Sequence, residues 1–186
     1  MARAQGKVAM VTGGGAGIGR ACCLRLAEEG ARVVVTDISA ERGDETVGQI
    51  EDKGGDGLFL RHDVTLEDQW ESVVGRAREA YGGVDVLVNN AGLYLIKPLT
   101  ETTVEEWNNL MAVNVTGVFL GMKHAAPSMA ERGGGSIVNM SSVAGLMGVA
   151  GHVLYATCAT TANCSSWHAR GARSAGTALW AFSLVE

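Results

Sequence analysis

The strongest constraint on this chain is a short apolar strand that runs into a glycine cluster and then into a helix. Lys7–Thr12 reads KVAMVT. A continuous apolar, β-branched run of that length predicts a strand buried on both faces of a parallel sheet. Thr12-Gly13-Gly14-Gly15-Ala16-Gly17-Ile18-Gly19 follows and opens a predicted helix over Gly17–Gly30, with Ile18, Cys22 and Leu26 on one face. Glycines at such a turn let backbone N–H groups approach an anion, and the helix N-terminus brings partial positive charge to the same point. The spacing, G-x-x-x-G-x-G through Gly13, Gly17 and Gly19, differs from the common G-x-G-x-x-G fingerprint. Taken alone, the loop also reads as a generic tight turn.

The next segment gives the loop a partner. Arg32–Thr36 is a second predicted strand, ending at Asp37-Ile38. An acidic residue about 20 positions past a phosphate loop can accept hydrogen bonds from an adenosine ribose. A carboxylate there repels a 2′-phosphate, and no arginine follows immediately, which points to NAD rather than NADP. Asp37 could instead cap the next helix, although Ser39 serves that purpose equally well.

The same alternation continues. Helices are predicted over Ala40–Lys53 and Leu66–Tyr81, and strands over Gly57–Leu60, Val84–Val88 and Ser136–Met140. A further helix starts near Thr103 and runs towards Met129. This alternation predicts one α/β domain, a Rossmann-type doubly wound parallel sheet. Five strands are expected in the order 3-2-1-4-5, with the C-terminal strands missing and the fifth strand left as an apolar edge.

Composition narrows the function classes. The net charge is −5 and no basic stripe is present, which argues against nucleic acid as a partner. No apolar run reaches the roughly 20 residues of a membrane span. Met1–Lys7 leads straight into the first strand, which argues against a signal peptide. The four cysteines show no metal-type spacing, so reduced thiols in a cytoplasmic protein are expected.

Thr12–Gly19, Asp63-Val64, Asn89–Gly92, Asn114 and the pair Ser142…Tyr155 together resemble the short-chain dehydrogenase/reductase family, in its order and spacing, from residue 5 to about 157. In that family the glycine loop has this wider spacing. The resemblance implies a nicotinamide cofactor held by Gly13, Gly17, Ile18, Gly19, Asp37 and Ile38. It implies that Asp63 and Val64 contact the adenine, and that Asn90, Ala91 and Gly92 line the cleft and steady the sheet. It makes Tyr155 the acid/base, Ser142 the holder of the substrate oxygen, and Asn114 the organiser of a relay water. The implied reaction is hydride exchange between NAD(H) and a secondary alcohol or its ketone.

Three of these residues also have plainer readings. Asn114 falls on the apolar side of one predicted helical face with Trp107, Leu110, Met111, Val115, Val118, Phe119 and Met122, where an amide could simply tie helix to sheet. Ser142 could be a cap, although a hydroxyl at the carboxyl end of a parallel strand points into the ligand crevice. Tyr155 alone could be an ordinary half-buried tyrosine. Cyclic alcohols and hydroxysteroids are the expected substrates, because Leu93-Tyr94-Leu95-Ile96 and Leu146-Met147-Gly148-Val149 would make an apolar pocket.

The pattern breaks after Tyr155. The family places lysine four residues beyond the tyrosine, and this chain has Ala159 there and no lysine after Lys123. A free phenol titrates near about 10, and a neighbouring ammonium favours the phenolate. Impaired turnover is therefore expected. Residues 156–186 differ in texture from residues 1–155, and are read as an aberrant or frame-shifted segment. Codons available to Cys164-Ser165-Ser166-Trp167, read one base later, can encode Ala or Val three times and then Gly. The alternative to an impaired enzyme is a catalytically inactive NAD-binding remnant. The family's homo-oligomers are built across two long helices; the second falls in the altered region, so that expectation is not carried over.

Overall fold

A computed structural model describes residues 2–148, 150–165 and 178–184. Six elements build the first half in strict alternation: β1 (Val8–Thr12), α1 (Gly17–Glu28), β2 (Arg32–Asp37), α2 (Ala40–Glu51), β3 (Asp56–Arg61) and α3 (Glu67–Tyr81). The second half contains β4 (Val86–Asn89), α4 (Val104–Met111), a π-helical turn (Ala112–Thr116), α5 (Gly117–Glu131), β5 (Ser136–Ser142), α6 (Val153–Ser165) and β6 (Ala178–Leu184). All paired strands are parallel, in the order β3-β2-β1-β4-β5-β6.

The expected order of the first five strands holds. The expected edge does not: β6 pairs with β5 from Ser136↔Ala178 to Ser142↔Leu184, so β5 is an interior strand. The run Ala178–Leu184 has neither period-2 alternation nor β-branched residues, so its sequence does not separate a strand from a buried helix segment.

Alternate residues of β1 serve opposite faces of the sheet, as the two-residue period of a strand requires. Val8 and Met10 pack with Val34, Leu87, Ile137, Trp70, Leu120 and Met129, beneath α3 and α5. Ala9 and Val11 pack with Val33, Val35, Cys23 and Ile50, beneath α1 and α2. Trp70 is the one aromatic among the fully buried residues of these layers, with Phe59 and Tyr81 packed partly buried against them. Asp85 pins the two central strands from below. It accepts the N–H of Val8 at 2.8 Å and a two-point contact from Arg132 at 2.9 and 2.8 Å.

The sequence reading of one continuous helical face past Trp107 is corrected at the π-helical turn. One extra residue per turn rotates everything beyond it by roughly a quarter turn. Phe119, expected on the buried face, is 56% exposed. Val118 is buried as expected, and Gly117, Leu120 and Gly121 are buried with it. The two glycines let α5 approach closely. A Cβ on Gly117 would lie 2.9 Å from the Val64 side chain, and one on Gly121 would lie 2.4 Å from Asn89 Oδ1. On α1 the buried residues are Gly19 and Cys23; Ile18, expected to face the core, is 51% exposed. Among the described residues Cys22, Cys23 and Cys158 are free thiols, and burial pushes the Cys23 thiol up to about 12.

Candidate functional site

The chain leaves β1 for β2 and β3 on one side and returns to β4 and β5 on the other. Between the carboxyl ends of β1 and β4 this reversal opens a crevice, the usual ligand site of an open α/β sheet. The glycine loop lies at its floor. Gly13 and Gly17 have φ of +63° and +51°, a region other residues rarely adopt. A Cβ on Gly19 would lie 2.1 Å from the Gly13 carbonyl oxygen, whereas one on Gly17 would meet nothing within 4 Å. Helix and loop therefore touch at Gly19, while Gly17 faces open space. α1 starts at Ala16 without a side-chain cap and without an acidic residue in its first turn. Its first N–H groups are left to an outside acceptor. These features fit a diphosphate.

The loop is braced from three directions. Thr12 Oγ1 accepts the N–H groups of Asn90 and Ala91, each at 3.0 Å, and Asn90 Nδ2 donates to the carbonyls of Thr12 and Gly13 at 2.9 and 3.2 Å. Arg20, within α1, donates to Gly15 O at 2.5 Å and to Thr46 Oγ1 at 3.0 Å. Asp37 Oδ2 accepts the N–H of Gly15 at 3.0 Å, and Oδ1 accepts that of Ser39 at 2.9 Å. Ser39 caps α2, so Asp37 is not that helix's cap. A carboxylate offers about four acceptor positions, so two remain for a ribose. Ile38, next in sequence, is 57% exposed at the lip. Arg42 Nη2 stands 3.7 Å from Asp37 Oδ1, a cation that the sequence reading did not place here.

Asp63 and Val64 follow β3. Asp63 Oδ1 accepts from Thr65 N and Oγ1 at 3.0 and 2.7 Å, and Val64 O accepts the Trp70 indole N–H at 2.9 Å. Val64 is buried under α5. These bonds fix a turn at the edge of the crevice. Nearby, His62 is buried, and burial pulls it down from its ordinary value to about 4.

On the β4 side the crevice widens into a cleft of about 520 Å³. Ile18, Asn90, Ala91, Gly92, Asn114, Ser142 and Tyr155 all line it, so the structure brings together residues from across the chain that the sequence singled out. Ser142 ends β5, and its Oγ accepts the Ala144 N–H at 3.2 Å, leaving its own hydrogen to point elsewhere. Tyr155 sits in the first turn of α6, and its hydroxyl makes no hydrogen bond among the described residues. Ser141 Oγ donates to Ala159 O at 2.9 Å, which clamps α6 to β5. Ala159, 5% exposed, lines the same cleft, so the ribose end has no lysine from α6 to meet it.

Asn114 lies in the middle of the π-helical turn. It accepts the Leu93 N–H and donates to the Leu93 carbonyl, both at 2.8 Å. The amide ties helix to loop and is half-buried. The side chains of Tyr94, Ile96, Leu146 and Met147 are exposed rather than packed in the core; Val149 lies outside the described residues.

The sequence reading missed His152. Its Nε2 lies 2.7 Å from Tyr94 Oη and its Nδ1 lies 2.9 Å from Ala150 O. The Tyr94 ring meets the Tyr155 ring edge-on, with centroids 4.7 Å apart. The available signal was spacing: three residues before Tyr155 is nearly one helical turn.

The family model of the short chain dehydrogenases matches residues 7–163. The 2,5-dichloro-2,5-cyclohexadiene-1,4-diol dehydrogenase of Sphingobium indicum is 44% identical over 160 residues, covering 86% of this chain and 63% of that protein. An NADP-dependent (R)-specific alcohol dehydrogenase of Lentilactobacillus kefiri is 42% identical, covering 78% of this chain and 58% of that protein. This chain thus spans about three-fifths of the length of these relatives. The crystal structure of a short chain dehydrogenase from Mycobacterium smegmatis superposes with a TM-score of 0.91 at 31% identity, covering 100% of this chain and 80% of that one.

Proposed function

The chain belongs to the short-chain dehydrogenase/reductase family, and from that premise we propose that it binds NAD(H) and exchanges a hydride with a cyclic secondary alcohol or its ketone. The observation that carries this reading is the single cleft shared by Ile18, at the start of α1, with Ser142 and Tyr155. It joins the anion-binding end of the crevice to a pair of hydroxyls. When bound, the nicotinamide supplies the acceptor or donor of the hydride.

The chain's own residues manage binding and the proton. The N–H groups at the start of α1 hold the diphosphate, and Asp37 accepts from the adenosine ribose, which favours NAD. Asp63 and Val64 shape the edge near the adenine. Ser142 donates its hydroxyl hydrogen to the substrate oxygen. Tyr155 Oη takes the hydroxyl proton in the oxidation and returns it in the reduction. Asn114 holds the loop at Leu93 over the cleft and, beside Cys158, orders a relay water.

Among the described residues, the lining of the cleft contains no Asp, Glu, Lys or Arg. That supports a neutral substrate, and Leu93, Tyr94, Val118, Met140 and Val143 in the lining support an apolar ring compound. The same lining supports low turnover, since no lysine or arginine stands beside Tyr155. A second reading follows from Ala159: the chain is an NAD-binding protein without turnover, residues 156–186 being an aberrant or frame-shifted end.

The test is NADH absorbance with a panel of cyclic secondary alcohols, for the natural chain and for Tyr155→Phe. Slow NADH formation that Tyr155→Phe abolishes while NAD still binds supports the enzyme. No NADH from any alcohol by a protein that binds NAD supports the second reading.

A further inference from the structure

Tyr94 and His152 have no part in the chemistry above, yet both line the cleft. His152 Nδ1 lies 2.9 Å from a carbonyl, Ala150 O, so it must carry a proton to make that bond. In the neutral imidazole the other nitrogen, Nε2, is then an acceptor. The Tyr94 hydroxyl, 2.7 Å away, donates to it. Its hydrogen is thereby committed and its oxygen lone pairs are free. An oxygen that donates in a chain of hydrogen bonds is a better acceptor than an isolated one.

The position of this oxygen is fixed from both sides. The N–H of Lys97 donates to Gly151 O at 3.0 Å, which stitches the loop carrying Tyr94 to the loop carrying His152. The edge-on contact with Tyr155, 4.7 Å between centroids, places the Tyr94 ring beside the ring that carries the reacting hydroxyl. The remaining lining is uncharged.

We propose that the Tyr94–His152 pair is a specificity element that accepts a hydrogen bond from a second hydroxyl of the substrate, which makes cyclic diols and hydroxyketones the preferred class. This rests on the alcohol reading of the cleft. It also goes further, because it assigns the chemistry of the second group: a hydroxyl, which can donate, rather than an ether or a second carbonyl, which cannot.

The test is calorimetric binding to the NADH complex, in which alcohols bind but have no oxidised cofactor to react with. The ligands are the 1,2-, 1,3- and 1,4-cyclohexanediols, their monomethyl ethers and cyclohexanol. At least one diol isomer binds three- to tenfold tighter than its monomethyl ether, the range expected for one hydrogen bond. Tyr94→Phe, which keeps the ring against Tyr155, removes that preference and leaves cyclohexanol binding unchanged. A merely structural strap would weaken all ligands alike. Equal binding of every diol and its ether by the natural chain overturns the specificity element while leaving the alcohol reading intact. Failure of every alcohol to bind overturns both.

Discussion

The carboxylate of Asp37 accepts the backbone N–H of Gly15 at 3.0 Å, so the last residue of β2 is tied to the glycine loop that follows β1. One side chain thus sets the loop's shape, and in the proposed function the same side chain meets the ribose. A Cβ on Gly15 would lie 2.8 Å from Asp37 Oδ2, so only glycine lets the two meet.

Replacing Asp37 with Asn removes one of two acceptor oxygens that are both in use. The expected loss of stability is about 1–3 kcal/mol. The same change frees Arg42, now 3.7 Å from Oδ1, to meet a 2′-phosphate. The ratio of NADP to NAD affinity rises at least tenfold in Asp37→Asn, read by titration of both dinucleotides. An unchanged ratio would show that Asp37 does not set the preference.

Gly19→Ala places a Cβ 2.1 Å from Gly13 O. Overpacking of that kind costs about 1–3 kcal/mol, and here it pushes apart the loop and the helix proposed to hold the diphosphate. Urea unfolding should show the loss, and NAD affinity should fall by more than tenfold. Gly17→Ala has open space but φ of +51°, so it pays only backbone strain of about 1–2 kcal/mol.

Much of this was legible in the sequence because strand-loop-helix junctions announce themselves locally. Gly13, Gly17 and Gly19 punctuate β1 and α1, and Ser39 leaves Asp37 free of the capping role. What could not be read depends on the third dimension. The π-helical turn at Ala112–Thr116 leaves no mark on residue types, yet it rotates Phe119 into solvent. Arg42 is five positions past Asp37, and only the first turn of α2 folds it back. The Tyr94–His152 contact joins residues 58 positions apart, and in the sequence Tyr94 stands among apolar neighbours. β6 is hidden for another reason: Ala178–Leu184 has neither period-2 alternation nor β-branched residues to separate a strand from a helix segment.

Placing an ammonium beside Tyr155 should raise turnover. Ala159 lines the cleft one turn beyond Tyr155 on α6, so Ala159→Lys places a cation near the phenol. NADH formation from a cyclic alcohol at neutral pH is expected to rise by about 10²-fold, the lower end of what acid–base catalysis contributes. No gain in a variant that folds and binds NAD would place the defect elsewhere.

His62 predicts an acid-sensitive fold. Burial lowers it from 6.5 to about 4, so the folded state resists protonation that the unfolded chain accepts near about 6.5. Its stability contribution is present above 6.5, is lost as pH falls towards 4, and levels off below. The full swing is on the order of 3 kcal/mol. Urea unfolding at several pH values between 7.5 and 4 should show this slope, and His62→Gln should flatten it. An equal slope in both proteins would remove His62 as the cause.

Whether the crevice between β1 and β4 takes a dinucleotide is read from the thermal midpoint in increasing NAD. A ligand bound only by the folded state at 100 times its dissociation constant adds about 2.7 kcal/mol, which for a chain of this length raises the midpoint by roughly 5–10 °C. The natural chain should show that rise and Gly19→Ala should lose most of it. A midpoint that stays fixed at every NAD concentration, in a protein with intact helical circular dichroism, would contradict a dinucleotide site there.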